Sequence, residues 1–230
     1  MLMKSHHPKT VLSAAFISTI LACGGVDAAT ILLSDDFETN LGNWSANGAN
    51  ATYYSYSTGT NYASTGNGAA RISGPGGAEL GPSYIQLTSA LAVSSGGYTD
   101  LTISFNDKFQ NGSTTRRPSV SYSVDGGSNW VFLGSWDSGE SGADNVLRSS
   151  SIALTPGSAP VFTGSWNTKS TANVLSFTDN VTFRLGAMGS NTGHFVYFDD
   201  IVISSSIPEP HTALMGSLGL LLLLRRRRSA

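Results

Sequence analysis

Three stretches of this chain alternate apolar and polar residues with a strict period of two. Leu101, Ile103 and Phe105 alternate with Thr102 and Ser104, Val120, Tyr122 and Val124 with Ser121 and Ser123, and Val181, Phe183 and Leu185 with Thr182 and Arg184. Successive side chains of an extended chain point to opposite faces. Each stretch therefore has one apolar and one polar face, as an antiparallel strand does when only one side is buried. Such a face has to be covered by another layer, and the rest of the chain offers more strands for that purpose. Alternation, β-branched and aromatic enrichment and glycine punctuation predict strands over Ile31 to Phe37, Thr52 to Ser57, Ala69 to Ile72, Tyr84 to Leu87, Leu101 to Phe109, Ser119 to Val124, Trp130 to Ser135, Val146 to Leu154, Val181 to Ala187 and Phe195 to Ile203. Asp125-Gly126-Gly127-Ser128-Asn129 between two of these is a hairpin signal, its glycines supplying positive φ angles. No repeat recurs at a fixed period, which disfavours propellers and solenoids. The expected fold is all-β, two packed antiparallel sheets.

Composition agrees and narrows the partners. Charged residues are only 12% of the chain, and Gly, Ser, Thr and Asn are abundant, which suits short strands and turns more than helices. Of 13 basic residues, Lys4, Lys9 and four arginines at the far end belong to the termini, and Asp27 and Glu209 likewise leave the 15 acids. The central part is then near −6, with no basic run, so nucleic acid is a poor candidate partner.

Both ends read as processing segments. Lys4 and Lys9, the apolar Val11 to Ala22 and small residues up to Val26-Asp27-Ala28 form a secretory signal, so residues 1–29 are expected to be a signal peptide, 30–206 one sandwich domain and 207–230 a separate tail. Cys23 is the only cysteine, so no disulfide is expected within the domain; Ile20-Leu21-Ala22-Cys23 also resembles a lipoprotein box. In the tail, Pro208, Glu209 and Pro210 precede an apolar run, Ala213 to Leu224, that ends on Arg225, Arg226, Arg227 and Arg228. As a helix the run would be about 18 Å long against about 30 Å of bilayer hydrocarbon, too short for a comfortable span. The prolines prevent its extension upstream, and the arginines would stay on the cytoplasmic side. This order of elements resembles the PEP-CTERM sorting signal of Gram-negative bacteria. The resemblance covers the tail alone. It implies transient membrane anchoring, processing by an exosortase near Pro208-Glu209-Pro210, and delivery to the cell surface or extracellular matrix.

Two further passages carry a second resemblance. Asp35-Asp36-Phe37-Glu38 with Trp44, and Tyr197-Phe198-Asp199-Asp200-Ile201-Val202-Ile203, are similar to the two ends of the jelly-roll sandwiches of secreted sugar-binding and MAM-like modules; Ser123 to Trp130 resembles a hairpin of such modules. The jelly roll is therefore the expected form of the sandwich.

Chemistry is sparse. His194 is the one histidine of the central domain, which excludes metal sites built on histidine pairs. A Ser-His-Asp triad would have to use it, and no Gly-x-Ser-x-Gly elbow is present. Asp137, Glu140 and Asp144 are the best candidates for a glycosidase or lyase pair, but they sit in a glycine-rich stretch unsuited to rigid placement. Aromatics are more informative: Tyr53, Tyr54, Tyr56 and Tyr62 crowd one polar stretch, and sugars stack on such rings while neighbouring amides and hydroxyls take their OH groups. Strand alternation makes one face core, so either Tyr53 or the Tyr54 and Tyr56 pair is exposed. Tyr54, Tyr56, Tyr62 and Trp136 are the candidate ligand-binding residues, while Trp44 and Trp130 are assigned to the core.

The last strand holds an oddity: both alternating sets between Phe195 and Ile203 are apolar apart from Asp199 and Asp200. The strand should be central and at least one aspartate near buried, at a cost unless it is compensated. Asp35, Asp36 and Glu38 present the same oddity near the first strand. If the two strands are neighbours, as the jelly-roll resemblance implies, a cation between them would relieve the repulsion; hard oxygen ligands suit calcium. In the resembling modules the Glu after the first Phe and an Asp of the final pair serve, here Glu38 and Asp199 or Asp200, with Asp36 nearby. The expectation is thus a non-catalytic, exported surface or matrix protein that binds extracellular polysaccharide or is structural, with a structural calcium ion. A polysaccharide-degrading enzyme on the same fold is the alternative.

Overall fold

The structure is a computed structural model describing residues 28–73, 83–110, 117–136, 145–188 and 193–207, all within the compact unit Asp27–Pro210. Residues 1–27, which hold all but the last two residues of the expected signal peptide, the tail from residue 208, and Asp137, Glu140 and Asp144 lie outside the described residues. The strands are β1 (Ala28–Asp35), β2 (Trp44–Asn47), β3 (Ala51–Ser55), β4 (Gly68–Ile72), β5 (Tyr84–Leu87), β6 (Leu101–Gln110), β7 (Arg117–Ser123), β8 (Val131–Ser135), β9 (Arg148–Leu154), β10 (Val161–Thr163), β11 (Thr168–Lys169), β12 (Thr182–Met188) and β13 (Phe195–Ile207). They form two sheets, one ordered β10-β9-β6-β13-β4-β3 with β1 also on β13, the other β11-β8-β7-β12-β5-β2. Pairing between strands is antiparallel throughout. The two-sheet all-β sandwich is as expected, and all ten expected strands are present. The short β2, β10 and β11 were not foreseen.

The core forms where the apolar faces meet. Leu101, Ile103, Phe105 and Phe109 of β6 and Val196, Phe198, Ile201 and Ile203 of β13 are buried on one side; Val120 and Tyr122 of β7 and Phe183 and Leu185 of β12 are buried on the other. The β7–β8 hairpin closes through Gly126 and Gly127 at φ 71° and 93°, with the Asp125 carboxylate accepting from Asn129 N at 2.8 Å. Trp44 is core, as expected. Trp130 is not: it stays half-exposed on the outer face of the second sheet, where the Arg184 guanidinium is held between it and Tyr84, at 4.3 and 4.4 Å from the ring centroids.

β13 organises the first sheet. One edge pairs with β6 along most of its length, while the other edge takes β4 at Val196–Phe198 and then β1 from Ile201 to Ile207. The first and last strands are neighbours, as the jelly-roll resemblance implies. Between the two partners β13 carries a bulge from Asp199 to Val202, with Asp200 at φ 48°, so three residue steps oppose the two from Asn106 to Ser104. The extra residue changes which parity faces inward: Val196 and Phe198 before it, Ile201 and Ile203 after it. This is why both alternating sets of the sequence are apolar.

Candidate functional site

The outer face of the first sheet carries a second, smaller aromatic cluster. Tyr53 and Tyr54 of β3 point to opposite sides. Tyr53 packs against the core and donates its hydroxyl to the Glu38 carbonyl at 3.1 Å, whereas Tyr54 joins the outer cluster. The register places Thr52, Arg71, Tyr197 and Lys108 in one row across β3, β4, β13 and β6, with Phe195 opposite Gln110 two positions away on the same face. Ala69 beside Tyr54 is small enough to leave room for rings. Tyr62, from the segment following β3, lies parallel to Tyr197 at 4.6 Å, and Tyr54 meets Tyr197 edge-on at 4.8 Å.

Around these rings is a cavity of about 290 Å³ lined by Tyr54, Thr58, Thr60, Tyr62, Arg71, Gln110 and Tyr197. Tyr54 is the more exposed of the three tyrosines; Tyr62 and Tyr197 are mostly covered by each other and form a wall. Arg71 has its guanidinium over the Phe195 ring at 4.8 Å and hydrogen-bonded to the Tyr197 phenol, while its Nε is buried without a hydrogen-bond partner. Burial pushes the Tyr197 phenol well above its ordinary pKa, the Arg71 charge opposing this in part, so it stays protonated and donates to Gln110 Oε1. Of the candidate ligand-binding residues, Tyr54 and Tyr62 thus meet in one cavity. Tyr56 follows the end of β3, donates to the Gly59 carbonyl at 3.2 Å and does not line it. Trp136 has to be corrected: it lies in the core, stacked on Phe105 at 5.2 Å and edge-on to Trp166 at 4.7 Å. Its ring follows directly on β8 and buries more apolar area between the sheets than a loop position would allow. Arg71 and Gln110 had no local signal in the sequence, since only strand register brings them to the rings.

The segment from Thr58 to Asn67 carries one side of the cavity and is tied down by the acids near the ends of the domain. The Asp199 carboxylate accepts from Ser64 N at 2.7 Å, Thr65 N at 3.2 Å and Asp200 N at 2.8 Å. The Asp200 carboxylate accepts from the Ser64 hydroxyl, Thr65 Oγ1 at 3.1 Å and Asn106 Nδ2 at 3.0 Å. Glu38 accepts from Asn67 N at 3.2 Å and its own N–H donates to Asp36 at 3.3 Å. On the other flank, Lys108 Nζ donates to the Asn61 and Ala63 carbonyls, which bracket Tyr62. Burial, and secondarily the neighbouring Asp200 charge, raises the Asp199 pKa against the lowering effect of its N–H donors. The hard oxygen donors of Glu38, Asp36, Asp199 and Asp200 suit calcium in kind. As arranged, however, they take N–H and O–H donors, and among the described residues no three acid, histidine or cysteine side chains converge on one point.

Two other titratable groups stand apart from this cavity. Asp107 of β6 faces inward, 1% exposed, and neither carboxylate oxygen has a hydrogen-bond partner. Burial pushes its pKa up from 3.8 to about 7; the Trp136 indole N–H, close by but not in hydrogen-bonding geometry, and the Arg148 charge pull it back only in part. His194 is half-buried next to β13, and its Nδ1 has no hydrogen-bond partner, so no carboxylate holds that nitrogen as a catalytic base requires, among the described residues.

No protein-family model matches the chain, and no curated protein does. Among solved structures it is similar to the C-terminal family 22 carbohydrate-binding module of Clostridium thermocellum Xyn10B, with a TM-score of 0.45 and 15% identity over 76% of this chain and 94% of that one. It is also similar to the CBM22-1 xylan-binding domain of Paenibacillus barcinonensis Xyn10C, with a TM-score of 0.44 and 14% identity over 79% and 98%. The conserved carbohydrate esterase vb_24B_21 of the Shiga toxin-encoding bacteriophage phi24B follows, with a TM-score of 0.43 and 16% identity over 78% and 100%.

Proposed function

We propose that this is an exported, non-catalytic surface or matrix protein whose sandwich binds carbohydrate at the Tyr54, Tyr62 and Tyr197 cavity. The observation that supports it is the composition of that cavity. Rings offer their apolar faces and edges to sugar C–H groups, while the Thr58 and Thr60 hydroxyls, the Gln110 amide and Arg71 take its oxygens. The rival reading, a glycosidase or lyase, needs two carboxylates flanking one bond, and among the described residues no carboxylate lines this cavity. Export and sorting rest on the sequence of the two ends: the signal peptide, then Pro208-Glu209-Pro210, the apolar run and Arg225 to Arg228, read by an exosortase-type enzyme. A glycan array on the purified protein, followed by titration of each hit, tests binding. Tyr54→Ala, which removes the most exposed ring, is expected to weaken it about tenfold; unchanged affinity moves the site elsewhere, and release of reducing ends favours the enzyme. Intact mass of the surface-associated form is expected to lack the residues after the Pro208 to Pro210 motif.

A further inference from the structure

We infer that the sugar this cavity takes carries a carboxylate: a uronic acid residue of an acidic polysaccharide, held by Arg71. The inference rests on the carbohydrate reading above and narrows it. Four features of the cavity point the same way. First, Arg71 is the only charged residue among the described residues that line it. Second, among the described residues that charge has no acid opposite it: the guanidinium contacts the Phe195 ring and the Tyr197 phenol, and its Nε is covered yet without a hydrogen-bond partner. A half-buried guanidinium left without an anion is costly, and a planar fork of N–H donors matches a carboxylate in geometry as well as in charge. Third, the remaining polar groups lean towards donors. Gln110 spends its Oε1 on the Tyr197 hydroxyl, so what it can offer a ligand is its NH2. Fourth, the guanidinium is clamped. The Phe195 face and the Tyr197 hydroxyl hold its plane, so little side-chain freedom is lost when an anion docks.

The acids of the neighbourhood do not contradict this. Asp199 and Asp200 spend their oxygens on Ser64, Thr65 and Asn106, and the Asp199 charge acts on Lys108, which stands across Tyr197 from Arg71 in the row of strands. A neutral hexose would satisfy the rings and the hydroxyls but would leave Arg71 desolvated without compensation, whereas a uronate pairs with it.

The test compares one polymer in two charge states. Affinity electrophoresis and calorimetric titration of the full protein would use polygalacturonate and its methyl-esterified form, alginate as a second uronate, and a panel of neutral glycans. Binding to at least one uronate is expected, about tenfold or more tighter than to the esterified form and weakening as salt rises. Arg71→Gln should bring the affinity for the acid polymer down to that for the ester, and Arg71→Lys, which keeps the charge but not the fork, should fall between. Melting curves of both variants establish that they are folded. Equal affinity for acid and ester, or neutral glycans bound while uronates are not, overturns the inference and leaves the carbohydrate reading standing. If no glycan of any charge binds, the carbohydrate reading itself falls, and this inference with it.

Discussion

Replacing Asp107 by Asn should change how the stability of this protein depends on pH. The carboxyl is buried between the sheets without a hydrogen-bond partner, and its pKa rises from 3.8 to about 7 in the fold. A raised carboxyl pKa means that the folded state holds a proton that the unfolded state has released. The neutral acid is tolerated at low pH, and its contribution is lost progressively as pH climbs from about 4 to about 7. At 1.36 kcal/mol per pKa unit, the loss is about 4 kcal/mol once the group is ionised, of which about 2 to 3 falls between pH 5 and pH 8. Asn has similar volume and no charge to bury. An unpartnered amide carries its own cost, so the informative quantity is the slope with pH and not the offset. Urea unfolding at pH 5, 6, 7 and 8 would be followed by fluorescence, with Trp136 in the core as reporter. The wild-type protein should lose about 2 to 3 kcal/mol more than Asp107→Asn across that range. Parallel pH profiles would refute the reasoning, because they would mean that Asp107 keeps its proton affinity on folding.

Asp199→Ala removes the acceptor of three backbone N–H groups, from Ser64, Thr65 and Asp200. It should cost about 2 to 4 kcal/mol in urea unfolding and expose the 58–67 segment to proteolysis. A Cβ at Gly68 would lie 1.8 Å from the Phe37 carbonyl oxygen, a backbone contact that cannot rotate away, so Gly68→Ala should lower stability by about 1 to 3 kcal/mol in the same assay. Calcium at Glu38, Asp36, Asp199 and Asp200 would have to displace the donors those carboxylates now hold; at 100 times its dissociation constant it would add about 2.7 kcal/mol, several degrees in melting temperature over the chelated protein. Coincident melting curves would leave the protein's own N–H and O–H donors as the whole of the carboxylates' support.

What the sequence determined by itself is what period two and turn chemistry encode locally. Alternation in β6, β7 and β12 specifies which residues meet in the core, because a strand has only two faces, and Gly126-Gly127 specifies the hairpin because positive φ is needed there. That at least one of Asp199 and Asp200 is buried followed from apolar neighbours on both parities; that it is Asp199 did not. Tertiary structure decided the rest. The bulge at Asp199 to Val202 swaps the inward parity of β13, so an apolar pattern that reads as a strand buried on both sides is one strand with a phase change. The partners of Asp199 and Glu38 are largely backbone N–H groups of Ser64, Thr65 and Asn67, and no side-chain pattern announces a backbone donor. The cavity takes Tyr54 from β3, Arg71 from β4, Gln110 from β6 and Tyr197 from β13. These residues are neighbours only because antiparallel register aligns their strands, a long-range condition that the clustering of tyrosines in the sequence could suggest but not complete. Trp136 shows the converse: placed at the end of β8, its ring is taken by the space between the sheets, where it removes more apolar surface from water than any exposed ligand site could.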